Sequence, residues 1–138
     1  MREILFRAID EGTHEWVYGY YCERPSPFHI GKEYSIFDDK TISRYTIFPE
    51  TVGQYTGLTD TNGKKIFEGD VVRVCLDSEI CVGKVIWDSE IASYNIAFNN
   101  GKCVLPLDIF IAKNKVGDKV WIDVIGNIHD NPELLENP

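Results

Sequence analysis

The chain has 138 residues, of which 43% are hydrophobic and 26% charged, the balance of an ordinary globular domain. This length excludes a complete (β/α)8 barrel, which takes about 250 residues, and the 12% of aromatic residues excludes a wholly disordered chain. The formal net charge of −8 argues against sequence-independent binding of DNA, because phosphate contacts need a basic surface.

The N-terminal apolar stretch is interrupted by Arg7 and Asp10, so it does not resemble a signal peptide. No apolar run reaches the roughly 18 residues that a membrane helix needs. The sequence therefore predicts a cytoplasmic protein that has no membrane partner.

The N-terminal third alternates short β-forming segments with turn residues. Residues 3–22 are predicted to form a hairpin around Gly12 and Thr13, and its second strand is rich in aromatic residues. The prolines at positions 25 and 27 interrupt regular structure, and a second hairpin is predicted over residues 34–48. We expect residues 1–48 to be a hairpin-rich region.

The central segment, residues 49–70, is rich in glycine and in polar turn residues. Asn62 and Gly63 favour a tight turn because both residue types tolerate positive φ. The run Glu68-Gly69-Asp70 indicates a second sharp corner immediately before a strand.

Alternating apolar residues from Val71 onward predict consecutive antiparallel strands over residues 71–76, 80–87, 94–98, 103–105 and 120–128. The fold class is therefore mainly β, with residues 49–138 as a small SH3-like or OB-like antiparallel barrel followed by a short C-terminal helix. Asp130 or Asn131 can cap that helix, and Pro132 suits its first position. Residues 107–113 fit one turn of helix or a strand equally well.

Four cysteines occur, at positions 22, 75, 81 and 103, without the C-x-x-C spacing of a zinc or redox motif. A hairpin centred on Ser78 would place Cys75 opposite Cys81, within reach of a disulfide. Because disulfides are rare in the cytoplasm, we expect reduced thiols.

Three segments resemble the YopX family of small bacteriophage and prophage proteins: Ile4 to Asp10, Pro49 to Val72, and Val124 to Leu135. The resemblance covers the beginning, middle and end of the chain. It implies a mainly β fold with a barrel, and it implies that the protein forms an oligomer. It also implies a phage origin, and therefore a location in the bacterial host cell. It does not indicate which reaction, if any, the protein catalyses. The residues that make up its structural motif are Pro49, Gly53, Tyr55, Gly57, Asp60, Asn62, Gly63, Glu68, Gly69, Asp70, Gly126, Asn127 and Pro132.

No catalytic constellation is recognisable. Asp60, Asn62, Glu68 and Asp70 could supply oxygen ligands, but they lack the alternate spacing of a calcium loop, so turn chemistry is preferred to a metal site. The serines lack the flanks of a nucleophile elbow, and the glycines lack the lysine of a phosphate loop. We therefore predict a protein that is not an enzyme and holds no cofactor.

Binding residues are less defined. Tyr18, Tyr20, Tyr21 and Trp87 could act as stacking platforms, with Lys84 as a cation on the same barrel. Aromatic residues of the core and a solubilising surface lysine are the preferred explanation. The first hypothesis is a phage or prophage accessory protein that acts as a non-catalytic interaction module, with a protein partner or a second copy of itself. The alternative is a nucleic-acid-binding β-barrel that acts in phage replication or gene control.

Overall fold

The computed structural model describes residues 3–76, 78–98, 101–113 and 120–136. Strands account for 58% of the described residues and helical turns for 10%, which confirms the mainly β prediction. The chain divides into two compact units, residues 1–55 and 56–138, which we call the N-terminal and C-terminal units.

The N-terminal unit is an antiparallel sheet in the order β4-β3-β2-β1-β5. Its strands are β1 (Phe6–Ile9), β2 (Trp16–Pro25), β3 (Lys32–Asp38), β4 (Ser43–Thr46) and the first residues of β5 (Gly53–Thr59). The pairs β1–β2 and β3–β4 are the two expected hairpins.

The inner face of this sheet buries Ala8, Ile36 and Ile47. The end of β4 returns to β1, because Asp10 and Ile47 form an isolated bridge and the Phe48 N–H donates to the Ile9 carbonyl at 3.0 Å. This return encloses the small apolar core of the unit.

The C-terminal unit contains a five-stranded antiparallel sheet in the order β10-β9-β8-β7-β11. Its elements are β6 (Lys65–Phe67), which pairs with β5, then β7 (Asp70–Leu76), β8 (Glu79–Asp88), β9 (Ser93–Phe98), β10 (Cys103–Pro106), the helix α1 (Asp108–Lys113) and β11 (Val120–Asn127). This strand order has two ends in the described residues, so closure into a barrel stays a prediction.

One face of the five-stranded sheet forms the larger core, where alternate residues of paired strands meet. It includes Val72, Val85, Ile96 and Ile122, and α1 adds the fully buried Phe110. The ambiguity over residues 107–113 is thereby resolved, since the segment from Asp108 is helical and Phe110 is 0% exposed. The last described element is a 3-10 turn, Pro132–Leu135, at the position of the expected short C-terminal helix. Asn131 precedes it without a capping side-chain hydrogen bond, contrary to the expected capping role.

The predicted hairpin register that places Cys75 opposite Cys81 is wrong by one residue. The β7–β8 hairpin closes on the pair Leu76–Glu79, whereas a centre on Ser78 would pair Leu76 with Ile80. Cys75 therefore lies opposite Ile80 and Cys81 lies opposite Val74, on the other face of the sheet. Both thiols are free.

Candidate functional site

The buried carboxylate of Asp60 joins the 60–64 turn to β11. Its Oδ1 accepts hydrogen bonds from the N–H groups of Asn62 at 2.9 Å and Lys64 at 2.8 Å, and its Oδ2 accepts the Val124 N–H at 3.0 Å. Asp60 is only 7% exposed. Charge-assisted bonds to three amides compensate for burial of this carboxylate, so Asp60 acts as a structural acceptor.

Thr61 also joins the 60–64 turn to β11. Its N–H donates to the Ile122 carbonyl at 2.9 Å, and its Oγ1 accepts the Ile122 N–H at 3.0 Å. The next side chain, Asn62, donates its Nδ2–H to Oδ1 of Asp123 at 2.6 Å. Three consecutive residues of the turn, Asp60, Thr61 and Asn62, are therefore each hydrogen-bonded to β11.

A second group of motif residues forms hydrogen bonds in the turns before β7 and after β11. Asp70, which is 1% exposed, accepts the Phe67 N–H at 2.7 Å. Asn127 Oδ1 accepts the N–H groups of His129 at 3.0 Å and Asp130 at 2.8 Å. A Cβ on Gly126 would lie 2.5 Å from Oδ1 of Asn131, so the side chain of Asn131 occupies the space that glycine leaves.

The remaining motif residues have local roles in turns and strands. Pro49 and Pro132 begin 3-10 turns, and the Tyr55 N–H donates to the Leu5 carbonyl at 2.8 Å. Gly53 pairs with Arg7, Glu68 is half-buried, and three glycines have positive φ, at positions 57, 63 and 69. Among the residues that the structure describes, no three His, Cys, Asp or Glu side chains gather as a metal site.

We predict that Asp60→Ala lowers the free energy of unfolding by about 3 kcal/mol or more, because three amides lose a buried acceptor. Asp60→Asn keeps one oxygen and should cost about half as much. Urea denaturation measures both. Asp39→Ala, at an exposed turn position, is the control and should change stability by less than about 0.5 kcal/mol. A loss of that small size for Asp60→Ala would contradict the structural role.

The strongest candidate for binding is the outer face of the N-terminal sheet. Tyr18 and Tyr20 alternate along β2, so both project on one side, where they are 45% and 50% exposed. Tyr20 pairs with Phe37 on β3, which in turn pairs with the exposed Arg44 on β4. We call this set, with Trp16 at the other end of the row, the outer aromatic face: Trp16, Tyr18, Tyr20, Phe37 and Arg44.

Two contacts hold this face in place. A Cβ on Gly19, between the two tyrosines, would collide with the backbone carbonyl of Phe37, so the glycine permits close approach of β2 and β3. The guanidinium of Arg7 lies 4.7 Å from the centre of the Trp16 ring, a cation–π contact that fixes the indole. Tyr18 and Tyr20 thus project from closely paired strands of the sheet.

The other proposed stacking residues lie elsewhere. Tyr21 is on the inner face, with its ring 5.8 Å from that of Phe6. Trp87 and Lys84 are in the C-terminal unit, on opposite faces of β8, and the Trp87 ring packs 4.9 Å from Tyr94. Sequence reasoning missed Phe37 and Arg44 as members of the face, because their position depends on the register between strands. It also missed Trp16, although Trp16, Tyr18 and Tyr20 alternate along the single strand β2.

The pKa of the Tyr21 phenol is raised. Burial, together with the hydrogen bond that its hydroxyl donates to Oε1 of Glu23 at 3.0 Å, raises its pKa from 10.0 to about 12. Both effects favour the neutral phenol, since an ionised oxygen could neither donate this bond nor tolerate the adjacent carboxylate.

We predict an alkaline loss of stability that depends on Tyr21. Because the folded pKa lies above the unfolded value, the stabilisation is complete below pH 10 and is lost as pH rises through about 12. Urea unfolding at intervals between pH 9 and pH 12 measures the decline. Tyr21→Phe should reduce the decline, whereas the control Tyr18→Phe should keep it. Identical pH profiles for Tyr21→Phe and the wild type would contradict this assignment.

The fold and the geometry of these residues define a mainly β protein whose buried turn motif is structural and whose N-terminal sheet exposes Tyr18 and Tyr20 on one face. Residues 5–136 match the model of the YopX family, described as "YopX protein". The chain therefore belongs to the YopX family, which confirms the resemblance of its three segments.

A solved structure has a similar fold. Protein EF1440 from Enterococcus faecalis superposes with a TM-score of 0.54 at 24% sequence identity, over 98% of this chain and 99% of that chain. No curated protein matches the sequence. In the described part of the chain, every helix is too short or too polar to cross a membrane.

Proposed function

We propose that this protein is a non-catalytic accessory protein of a phage or prophage, and that it binds another protein through the outer aromatic face. The observation that carries the proposal is the exposure of Tyr18 and Tyr20 beside Phe37 and Arg44 on one sheet face. The YopX family is not a known enzyme family, and binding needs no catalytic group.

The chemistry of this face suits protein recognition. Tyrosine, tryptophan and arginine are the residues that contribute most to binding free energy in protein interfaces. Tyrosine offers a large contact area with only two rotatable side-chain bonds, so little entropy is lost when it is immobilised. Arg44 can add a charge-assisted hydrogen bond to a partner carboxylate or carbonyl. The net charge of −8 favours encounter with a basic protein.

Single-stranded nucleic acid is the second candidate ligand, because aromatic side chains next to an arginine on a sheet can stack bases. The charges of the unit favour a protein instead. Arg24 is engaged by Glu33 at 2.9 Å, and acidic residues outnumber basic ones between positions 3 and 55. Phosphate binding would require a net basic surface.

We predict that the double variant Tyr18→Ser/Tyr20→Ser loses at least about tenfold in affinity for the partner. The tagged full-length protein is used to isolate partners from prophage-induced bacteria, and the purified partner is titrated by calorimetry. Ile42→Ser removes an apolar side chain that is 80% exposed in the same unit, and it should bind like the wild type. Equal binding by the double variant would contradict the proposed face.

A labelled single-stranded oligonucleotide separates the two candidates. For a protein-binding face, we expect fluorescence anisotropy with a 20-nucleotide dT strand to show no saturable binding at micromolar protein in low salt. Saturable binding that weakens steeply with salt and is lost in Tyr18→Ser/Tyr20→Ser would assign the face to nucleic acid instead.

A further inference from the structure

The hairpin of β2 and β3 extends beyond the strands on either side of it. β1 pairs with β2 only up to Gly19, and β4 pairs with β3 only from Ser35 onward. Residues 23–25 pair with residues 32–34, and we call these six residues the arm. The arm is joined to the rest of the unit at its base, where the Ile47 N–H donates to the Tyr34 carbonyl at 3.1 Å. The loop of residues 26–31 forms the tip of the arm.

The tip exposes two large apolar side chains. Phe28 is 88% exposed and Ile30 is fully exposed. The loop is nevertheless ordered by its own hydrogen bonds, since the Ser26 N–H donates to the Gly31 carbonyl at 3.0 Å and the Phe28 N–H donates to Ser26 Oγ at 3.2 Å. A preformed loop that holds two apolar side chains in water is suited to insertion into a complementary surface.

The arm carries no net charge next to this tip. Nε of Arg24 lies 2.9 Å from Oε2 of Glu33, and Nζ of Lys32 lies 3.5 Å from Oε2 of Glu23. Each basic side chain is matched by an acid on the opposite strand. A ligand of the tip is therefore selected by apolar contact. The part of the ligand that surrounds the tip needs no charged groups, because the charges of the arm are already paired.

These features distinguish between possible occupants of the tip. Two side chains bury less apolar surface than one myristoyl chain, which alone binds membranes only marginally, so a bilayer is disfavoured. A second copy is disfavoured because each copy carries a net charge of −8. A convex tip of two side chains gains most from a concave pocket that surrounds both of them.

We propose that the tip is a docking element that inserts Phe28 and Ile30 into an apolar pocket with an uncharged rim on another protein. These residues lie outside the outer aromatic face, so this inference goes beyond the proposed function and either can fail alone.

The test places a photo-crosslinker at the tip of the full-length protein. Phe28→p-benzoylphenylalanine is irradiated in prophage-induced cells, with Ile91→p-benzoylphenylalanine as the control, since Ile91 is an apolar residue of the C-terminal unit that is 63% exposed. The protein crosslinked only from position 28 is then purified and titrated with the wild type and with Phe28→Ser/Ile30→Ser.

We expect the double variant to bind at least about tenfold more weakly and Ile91→Ser to bind normally. We also expect wild-type affinity to change less than about twofold between 50 and 300 mM NaCl, because no uncompensated charge is engaged. No position-specific adduct, or equal binding by the double variant, would overturn the proposal. A crosslinked dimer of this chain, or cosedimentation of the wild type but not the double variant with phosphatidylcholine vesicles, would overturn it in favour of self-association or lipid.

Discussion

Three backbone amides from two separate segments converge on the carboxylate of Asp60, and this convergence determines how the C-terminal unit is assembled. Asn62 and Lys64 belong to the turn after β5, whereas Val124 lies 64 positions along the chain from Asp60. A carboxylate shielded from water forms strong bonds to such donors, and leaving them unpaired would be costly. The contact therefore joins β11 to the 60–64 turn, and β11 in turn pairs with β7.

The residues that hold the fold are different from those that we propose for binding. Asp60, Asp70 and Asn127 direct their oxygens toward backbone N–H groups of their own unit, which accounts for their place in the motif without a ligand. The outer aromatic face and the arm lie in the N-terminal unit, on β2, β3 and β4. Binding surfaces of this kind can diverge while the turn motif keeps the fold.

Local signals in the sequence were sufficient for most elements. Turn residues such as Gly12 and Gly63 delimit hairpins because their backbone requirements are local. Residues 107–113 were ambiguous, since a short apolar run suits a helix or a strand until Phe110 has a core to enter. The register between strands was not accessible, and a shift of one residue separated Cys75 from Cys81.

The same limitation applies to the candidate sites. The alternation of Tyr18 and Tyr20 in the sequence is consistent with a shared face, but the addition of Arg44 requires two successive registers, β2 with β3 and β3 with β4. For the tip, the prolines at positions 25 and 27 indicated only an interruption of regular structure. The extent of the arm depends on where the neighbouring strands stop, which is a tertiary property with no local signal.

Residue-resolved hydrogen exchange of the native protein tests the central claim most directly, because it measures how firmly each amide is held. The account predicts that the N–H groups of Asn62, Lys64 and Val124 exchange as slowly as paired amides of β7 and β8, through global unfolding. Glu90 is the internal reference, since its N–H donates to Asp88 Oδ1 at 3.0 Å in a similar but exposed turn and should exchange quickly. If the three amides bonded to Asp60 exchange as fast as Glu90, Asp60 does not hold the unit together and the account is contradicted.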